Sequence, residues 1–168
     1  MQTVEVRIAT AADAHAIQSI FAVGVATADW LPAQARTALD FAHSSASEVV
    51  HVAVARNGDV LGFVSVQPSG AFVHHLYVHV GSQRRGIGRQ LLASLQSRPR
   101  TPWRLKCVRA NQHAIAFYIA LGWCEVATGE SEHGPYVVLE SPPMSQRDNS
   151  SIERAAKKRR ANARPAKF

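Results

Sequence analysis

The stretch LYVHVGSQRRGIGRQLL, Leu76 to Leu92, sets Gly86 and Gly88 among Arg84, Arg85 and Arg89, between an apolar run and a run with helical spacing. Glycine has no Cβ, so its backbone can approach a ligand closely. A helix start leaves its first N–H groups without intrahelical acceptors and turns the positive end of the dipole toward whatever sits there. Bare backbone, a helix start and positive charge together suit a phosphate-bearing ligand, most simply a pyrophosphate. Two common phosphate patterns do not fit. No Gly-Lys-Ser/Thr follows the glycines, and Gln90-Leu91 stand where a G-x-G-x-x-G fingerprint needs its third glycine.

The elements that would hold this loop follow from periodicity. TVEVRIAT alternates as a first strand. AADAHAIQSIFAVGVATADW has Ala14, Ile17, Ile20, Phe21 and Val25 at helical spacing, with Asp13 placed to cap it. LPAQARTALDFAHSSA reads as a second helix, with Pro32 in its first turn and Leu39 and Phe41 as core candidates. VVHVAVA and VLGFVSVQ form a hairpin around Asn57-Gly58, where positive φ angles are expected. AFVHHLYVHV is a strand, GIGRQLLASLQSR a helix, WRLKCVRA a strand and NQHAIAFYIALGW a helix; CEVATGE and YVVLE close as a hairpin. The expected order is β-α-α-β-β-β-α-β-α-β-β, an α/β (α+β) protein with one mixed sheet covered by helices.

Within this order, Gln83, Arg84, Arg85, Gly86, Ile87 and Gly88 read Gln-x-x-Gly-x-Gly after a strand. Further on, Asn111, Ala114, Phe117, Tyr118, Gly122 and Trp123 read Asn-x-x-Ala-x-x-Phe-Tyr-x-x-x-Gly-aromatic. The first pattern resembles motif A, and the second motif B, of the GCN5-related N-acetyltransferases (GNAT). The resemblance covers roughly residues 3 to 140 and implies the GNAT fold. It implies that the glycine loop, Gln83 to Arg89, binds the pyrophosphate of acetyl-CoA as acyl donor. It further implies that the main chain of Leu76, Tyr77 and Val78 and the side chain of Asn111 meet the pantetheine arm, with an oxyanion-binding N–H near Val78. Many relatives have Pro where this chain has Val80, and Gly-Phe where it has Gly122-Trp123.

Acetyl transfer to an amine needs a held donor, a neutral amine, a stabilised oxyanion and a protonated leaving thiolate. The resemblance implies Tyr118 as the general acid. Asn111 and Tyr118 lie two helical turns apart and project from one face. Asn111 could also be the helix cap, and Tyr118 a core aromatic. Many relatives use a strand carboxylate as base, or water. This strand has His74, His75 and His79 and no acid. By alternation His74 shares a face with Leu76 and Val78, and His75 with Tyr77 and His79. An imidazole titrates in the useful range, so His74 or His75 is a candidate base. His75 and His79 are too far apart to hold a metal alone, and no metal is expected. Glu130, Glu132 and His133, in the last hairpin, are candidates to recognise a cationic acceptor or are ordinary loop polarity.

Composition bounds the rest. The chain has 168 residues, 46% of them hydrophobic, enough for one domain with a core. Residues 1–144 carry 11 Lys and Arg against 10 Asp and Glu, while residues 145–168 carry 8 against 2. The formal +7 is therefore +1 on an expected acetyltransferase domain, 1–144, and +6 on a basic tail, 145–168, expected to be disordered. The balance argues against a nucleic-acid-binding body, though one local patch could be positive; the tail fits a plain solvated extension, an electrostatic arm for nucleic acid, membrane or acidic protein, or an import signal. No apolar run suggests a membrane span or signal peptide, and Cys107 and Cys124 read as buried free thiols in a reducing cytoplasm. The expected partner is an amine-bearing acceptor, whether small molecule, peptide or protein lysine. Monomer and homodimer both stay open, as does a non-catalytic acyl-CoA-binding module.

Overall fold

The protein is described by a computed structural model over residues 4–37, 40–95 and 102–143. Its strands are β1 (Val4–Ile8), β2 (Val49–Ala55), β3 (Val60–Gln67), β4 (Phe72–Val78), β5 (Arg104–Val108), β6 (Cys124–Ser131) and β7 (Gly134–Glu140). Its helices are α1 (Ala14–Ala26), α2 (Phe41–Ser44), α3 (Ile87–Leu95) and α4 (Gln112–Ala120). The order is the one expected, and the strands form a single seven-stranded sheet in the order β1-β2-β3-β4-β5-β7-β6. Only β4 and β5 run parallel. The tail and Leu39 lie outside the described residues.

Each sheet face carries its own apolar layer. Val64, Val66 and Val73 pack with Leu91, Leu92 and Leu95 of α3 and with Tyr118 of α4. Val52, Val54 and Phe63 pack on the other face with Ile17, Ile20 and Phe21 of α1 and with Phe41. Alternation along β2 and β3 sends neighbouring residues into opposite layers, so both faces are apolar and both are covered.

Three local readings need correction. Asp13 stands at the start of α1, but its carboxylate does not cap that helix. It accepts from Arg7 Nη1 and Nη2 at 2.8 and 2.9 Å and from the Thr10 N–H at 2.7 Å, which ties β1 to the helix start. Among the described residues, the helix expected over 31–46 is the four-residue α2 and a 3-10 turn, Ala33–Ala35. Side-chain hydrogen bonds, one of them long-range, occupy backbone groups in and just before this stretch. Arg36 donates to the carbonyls of Leu31 and Asp29 at 2.9 and 2.7 Å, and Gln18 accepts the Phe41 N–H at 2.7 Å. In the hairpin, Gly58 has φ +93° while Asn57 is not at positive φ, because the Gly58 N–H closes the turn onto Ala55.

Strand β4 carries the feature that builds the site. Ser65 faces His75 across the β3–β4 ladder, yet Val66 faces Val73, so His74 is an extra residue in a β-bulge. The bulge shifts the alternation by one. Val73 joins Leu76 and Val78 in the α3/α4 layer, contrary to simple period-two counting. On its other edge β4 pairs with β5 only at Phe72–Arg104 and Val73–Leu105. Beyond Val73 the two strands diverge and open the sheet.

Candidate active site

The opened sheet edge presents particular backbone groups. His79 donates its N–H to Leu61 at 2.8 Å, and antiparallel bonding alternates. Tyr77 therefore spends its main-chain groups on Phe63, whereas Leu76 and Val78 turn theirs away from β3, toward the gap. Tyr77 borders the site through its ring, which lies between Phe21 and Phe63. The Val78 carbonyl accepts from Gln83 Nε2 at 3.2 Å, so Gln83 fastens the glycine loop to the strand end.

The loop between β4 and α3 is shaped by two left-handed residues, Arg84 at φ +61° and Gly86 at φ +79°. The His79 ring accepts the Gly81 N–H at 3.1 Å, which ends β4 at Val78 rather than at Val80. Gln90 donates to the Gly86 carbonyl at 3.1 Å, the first helical bond of α3. The N–H groups of Ile87, Gly88 and Arg89 precede it and have no intrahelical acceptor. Gly88 lies against Phe117 of α4, where a Cβ would stand 3.1 Å from the ring.

Loop, strand edge and helices enclose a cleft of about 1050 Å³. It is lined by Leu76, Tyr77 and Val78, by Gln83, Arg84, Ile87 and Gly88, and by Asn111 and Tyr118. Its walls also include Ile20, Val23 and Gly24 of α1 and Asp29 and Trp30 beyond it. Arg85, Gly86 and Arg89 are exposed beside the cleft and do not line it. A smaller cavity of about 190 Å³ opens from the gap between β4 and β5. His74, His75, Lys106 and Cys107 line it. Trp30, Leu76, Tyr77, Asn111, Ala114 and Tyr118 border both cavities, so the two meet at the parted strands.

Asn111 caps α4, its Oδ1 accepting from Ala114 N at 3.2 Å, and the same residue lines both cavities. Tyr118 is 8% exposed and packs on Trp123 and Phe117. Burial, reinforced by Cys107 and Tyr77, raises its phenol pKa well above the ordinary value, so it keeps its proton. Burial likewise pushes the Cys107 thiol up to about 11. Both cysteines are free thiols, but Cys124 is exposed on β6 and not buried as expected.

The sequence reading missed an acid. Glu48, immediately before β2, brings a side chain that is 5% exposed against both histidines. Its Oε1 is 3.2 Å from His74 Nδ1, and its Oε2 is 3.6 Å from His75 Nδ1. His75 Nδ1 is also hydrogen-bonded with Ser65 Oγ at 2.9 Å. Glu48 is remote from the strand in sequence and carries no motif, so no local signal marks it. Glu130, Glu132 and His133 sit on the β6–β7 hairpin and line neither cavity; Glu132 and His133 face one another at 3.6 Å. Among the described residues no group of three His, Cys, Asp or Glu could hold a metal ion, and no helix is long and apolar enough to cross a membrane.

Among the described strands the mixed sheet parts at its one parallel pair, with a glycine loop and a helix start at the opening. The model of the acetyltransferase (GNAT) domain family matches residues 47–125, which span both motifs. Residues 47–125 carry the signature of the GNAT superfamily of acetyltransferases. Among solved structures it is similar to the ribosomal-protein-S18-alanine N-acetyltransferase of Escherichia coli, at 19% identity over 85% of this chain and 96% of that one, TM-score 0.65. It is similar to the ribosomal-protein-alanine N-acetyltransferase of Brucella melitensis, at 22% identity over 83% and 99%, TM-score 0.64. It is also similar to a phosphinothricin acetyltransferase of Sinorhizobium meliloti in complex with acetyl-CoA, at 20% identity over 83% and 88%, TM-score 0.63. No curated protein matches the sequence.

Proposed function

We propose that the protein transfers an acetyl group from acetyl-CoA to a primary amine, by direct attack in a ternary complex. The observation that carries this reading is the meeting of two cavities at Leu76, Asn111 and Tyr118. A donor in one cavity and an acceptor in the other can then reach one point, which converts a bimolecular encounter into a positioned one.

The chain's own groups fit an acyl-CoA donor. The free N–H groups at the start of α3, with Arg84 beside them, suit a pyrophosphate. The outward main-chain groups of Leu76 and Val78 suit the amides of a pantetheine arm, which would add to the sheet edge as a strand does. The Val78 N–H, turned away from β3, would serve as the oxyanion donor. Tyr118 holds a proton in a buried setting and donates it to the departing thiolate. The amine proton goes to His74, His75 or a water in the smaller cavity. Bound acetyl-CoA supplies the activated thioester.

The acceptor is an amine of unassigned structure. The similar proteins named for phosphinothricin and for ribosomal-protein alanine differ in acceptor, and fold does not choose between such substrates. Calorimetry with acetyl-CoA, followed by thiol release against a panel of amines, amino acids and peptides, tests the proposal. Binding and amine-dependent release are expected. Binding without release from any amine would leave an acyl-CoA-binding module, and no binding would end the reading.

A further inference from the structure

We propose that His74 and Glu48 form a carboxylate–imidazole dyad in which His74 Nε2 accepts the amine proton and Glu48 is the positioning residue behind it. The inference rests on the acetyl-transfer reading and names the base that reading leaves open.

The bulge in β4 is the origin. In an unbroken strand His74 and His75 would point to opposite faces. With His74 as the extra residue, both rings turn Nδ1 toward one carboxylate. Glu48 borders neither cavity, so it cannot touch an amine there; His74 lines the smaller cavity and can. The Glu48 Oε1 and His74 Nδ1 lie 3.2 Å apart as an ion-pair contact, within reach for the carboxylate to accept an Nδ1–H. In the dyad that proton stays on Nδ1 and the Nε2 lone pair is the ring's only base. The carboxylate also places a negative charge behind the ring as the imidazolium forms.

His75 is the lesser candidate. Its ring meets Phe21 and Phe41 edge-on, each at 5.5 Å, and its Nδ1 is hydrogen-bonded with the fully buried Ser65. Burial lowers its pKa and keeps it neutral. His75 therefore works as a wall of the site. Among the described residues Glu48 Oε2 has no hydrogen-bond partner, and of the carboxylate's two imidazole contacts the one to His74, at 3.2 Å against 3.6 Å, is the shorter.

The step balances without another reactant. The amine nitrogen bonds to the thioester carbonyl carbon, the carbon–sulfur bond breaks, the amine proton passes to His74 Nε2 and the thiolate takes the Tyr118 proton. Solvent then returns a proton from His74 to Tyr118.

Two measurements test the dyad. In 15N-histidine-labelled protein, neutral His74 is expected as the Nδ1–H tautomer; an Nε2–H tautomer overturns the proposal. In thiol release from acetyl-CoA, using the panel amine with the highest wild-type rate, His74→Gln should lower kcat about 100-fold and Glu48→Gln roughly 10-fold or more. Acetyl-CoA affinity by calorimetry should stay within about twofold, a kcat-against-binding split that a merely structural role would not give. Wild-type kcat in a folded His74→Gln or Glu48→Gln protein sinks the dyad while acetyl transfer stands. If Glu48→Gln does not fold, His74→Gln, on a more exposed side chain, decides alone. If the wild-type protein releases no thiol with any amine, acetyl transfer itself fails and the dyad falls with it.

Discussion

Gly88 of α3 and Phe117 of α4 touch across the floor of the cleft, so closely that a Cβ at Gly88 would stand 3.1 Å from the ring. Gly86, two residues earlier, has nothing within 4 Å of where its Cβ would be, but it holds φ +79°. The two glycines are thus needed for different reasons, one for space and one for backbone conformation. Gly88→Val should cost about 1–3 kcal/mol by overpacking, and should weaken acetyl-CoA binding by narrowing the cleft. Gly86→Ala should cost about 1–2 kcal/mol through its left-handed backbone alone. Urea unfolding and calorimetry on each variant check both; wild-type stability in Gly86→Ala would contradict the strained turn.

Tyr118→Phe separates chemistry from packing. Among the described residues no hydrogen bond is made by the Tyr118 hydroxyl, and the ring keeps its contacts with Phe117 and Trp123 in the variant. Stability should change by less than about 1 kcal/mol. With the proton donor gone, kcat should fall on the order of 100-fold at unchanged coenzyme affinity. Because burial raises the phenol pKa, no loss of rate from Tyr118 ionisation is expected up to pH about 10. A Tyr118→Phe enzyme with wild-type kcat would remove this residue from the mechanism.

Gly24 in α1 lies flat against the Tyr77 ring, with a built Cβ overlapping its Cδ1 and Cε1. Replacing a helix glycine by alanine ordinarily stabilises by about 1 kcal/mol. Here Gly24→Ala should destabilise by about 1–3 kcal/mol instead, because the ring is held by Phe21 and Phe63. A raised Tm in Gly24→Ala would show that Tyr77 can move aside.

Stability should fall on the acid side in two separable steps. Burial lowers the His75 pKa below its ordinary 6.5, so its contribution is full above that value and is lost as pH falls through it. Hydrogen bonds from the Arg7 guanidinium, with those of Thr10, hold the Asp13 carboxyl well below its ordinary 3.8, so that contribution is present above about pH 4 and is lost below it. Asp13→Asn should therefore cost about 1–3 kcal/mol at neutral pH and progressively less below pH about 3. His75→Gln should flatten the decline that sets in below pH 6.5. Denaturant unfolding across pH measures both, and an Asp13→Asn deficit that stays constant down to pH 2 would contradict the linkage.

The sequence by itself determined what depends on neighbours along the chain. Element order followed from apolar periodicity. The glycine loop and the Asn111 cap followed because a turn and a helix start are set by residues a few positions apart. Those runs also carried the family resemblance. Tertiary structure decided what depends on residues far apart. Gln18, twenty-three residues earlier, takes the Phe41 N–H at the start of α2, a contact that no local pattern marks. The divergence of β4 from β5 past Val73 opened the site, and no pattern in either strand announces it. The bulge at His74 broke the alternation that assigned the two histidines to opposite faces. Glu48 reached them only because β2, β3 and β4 are adjacent in the sheet. Local conformational preference is written in short stretches, whereas strand register and the meeting of side chains depend on the packing of the whole sheet.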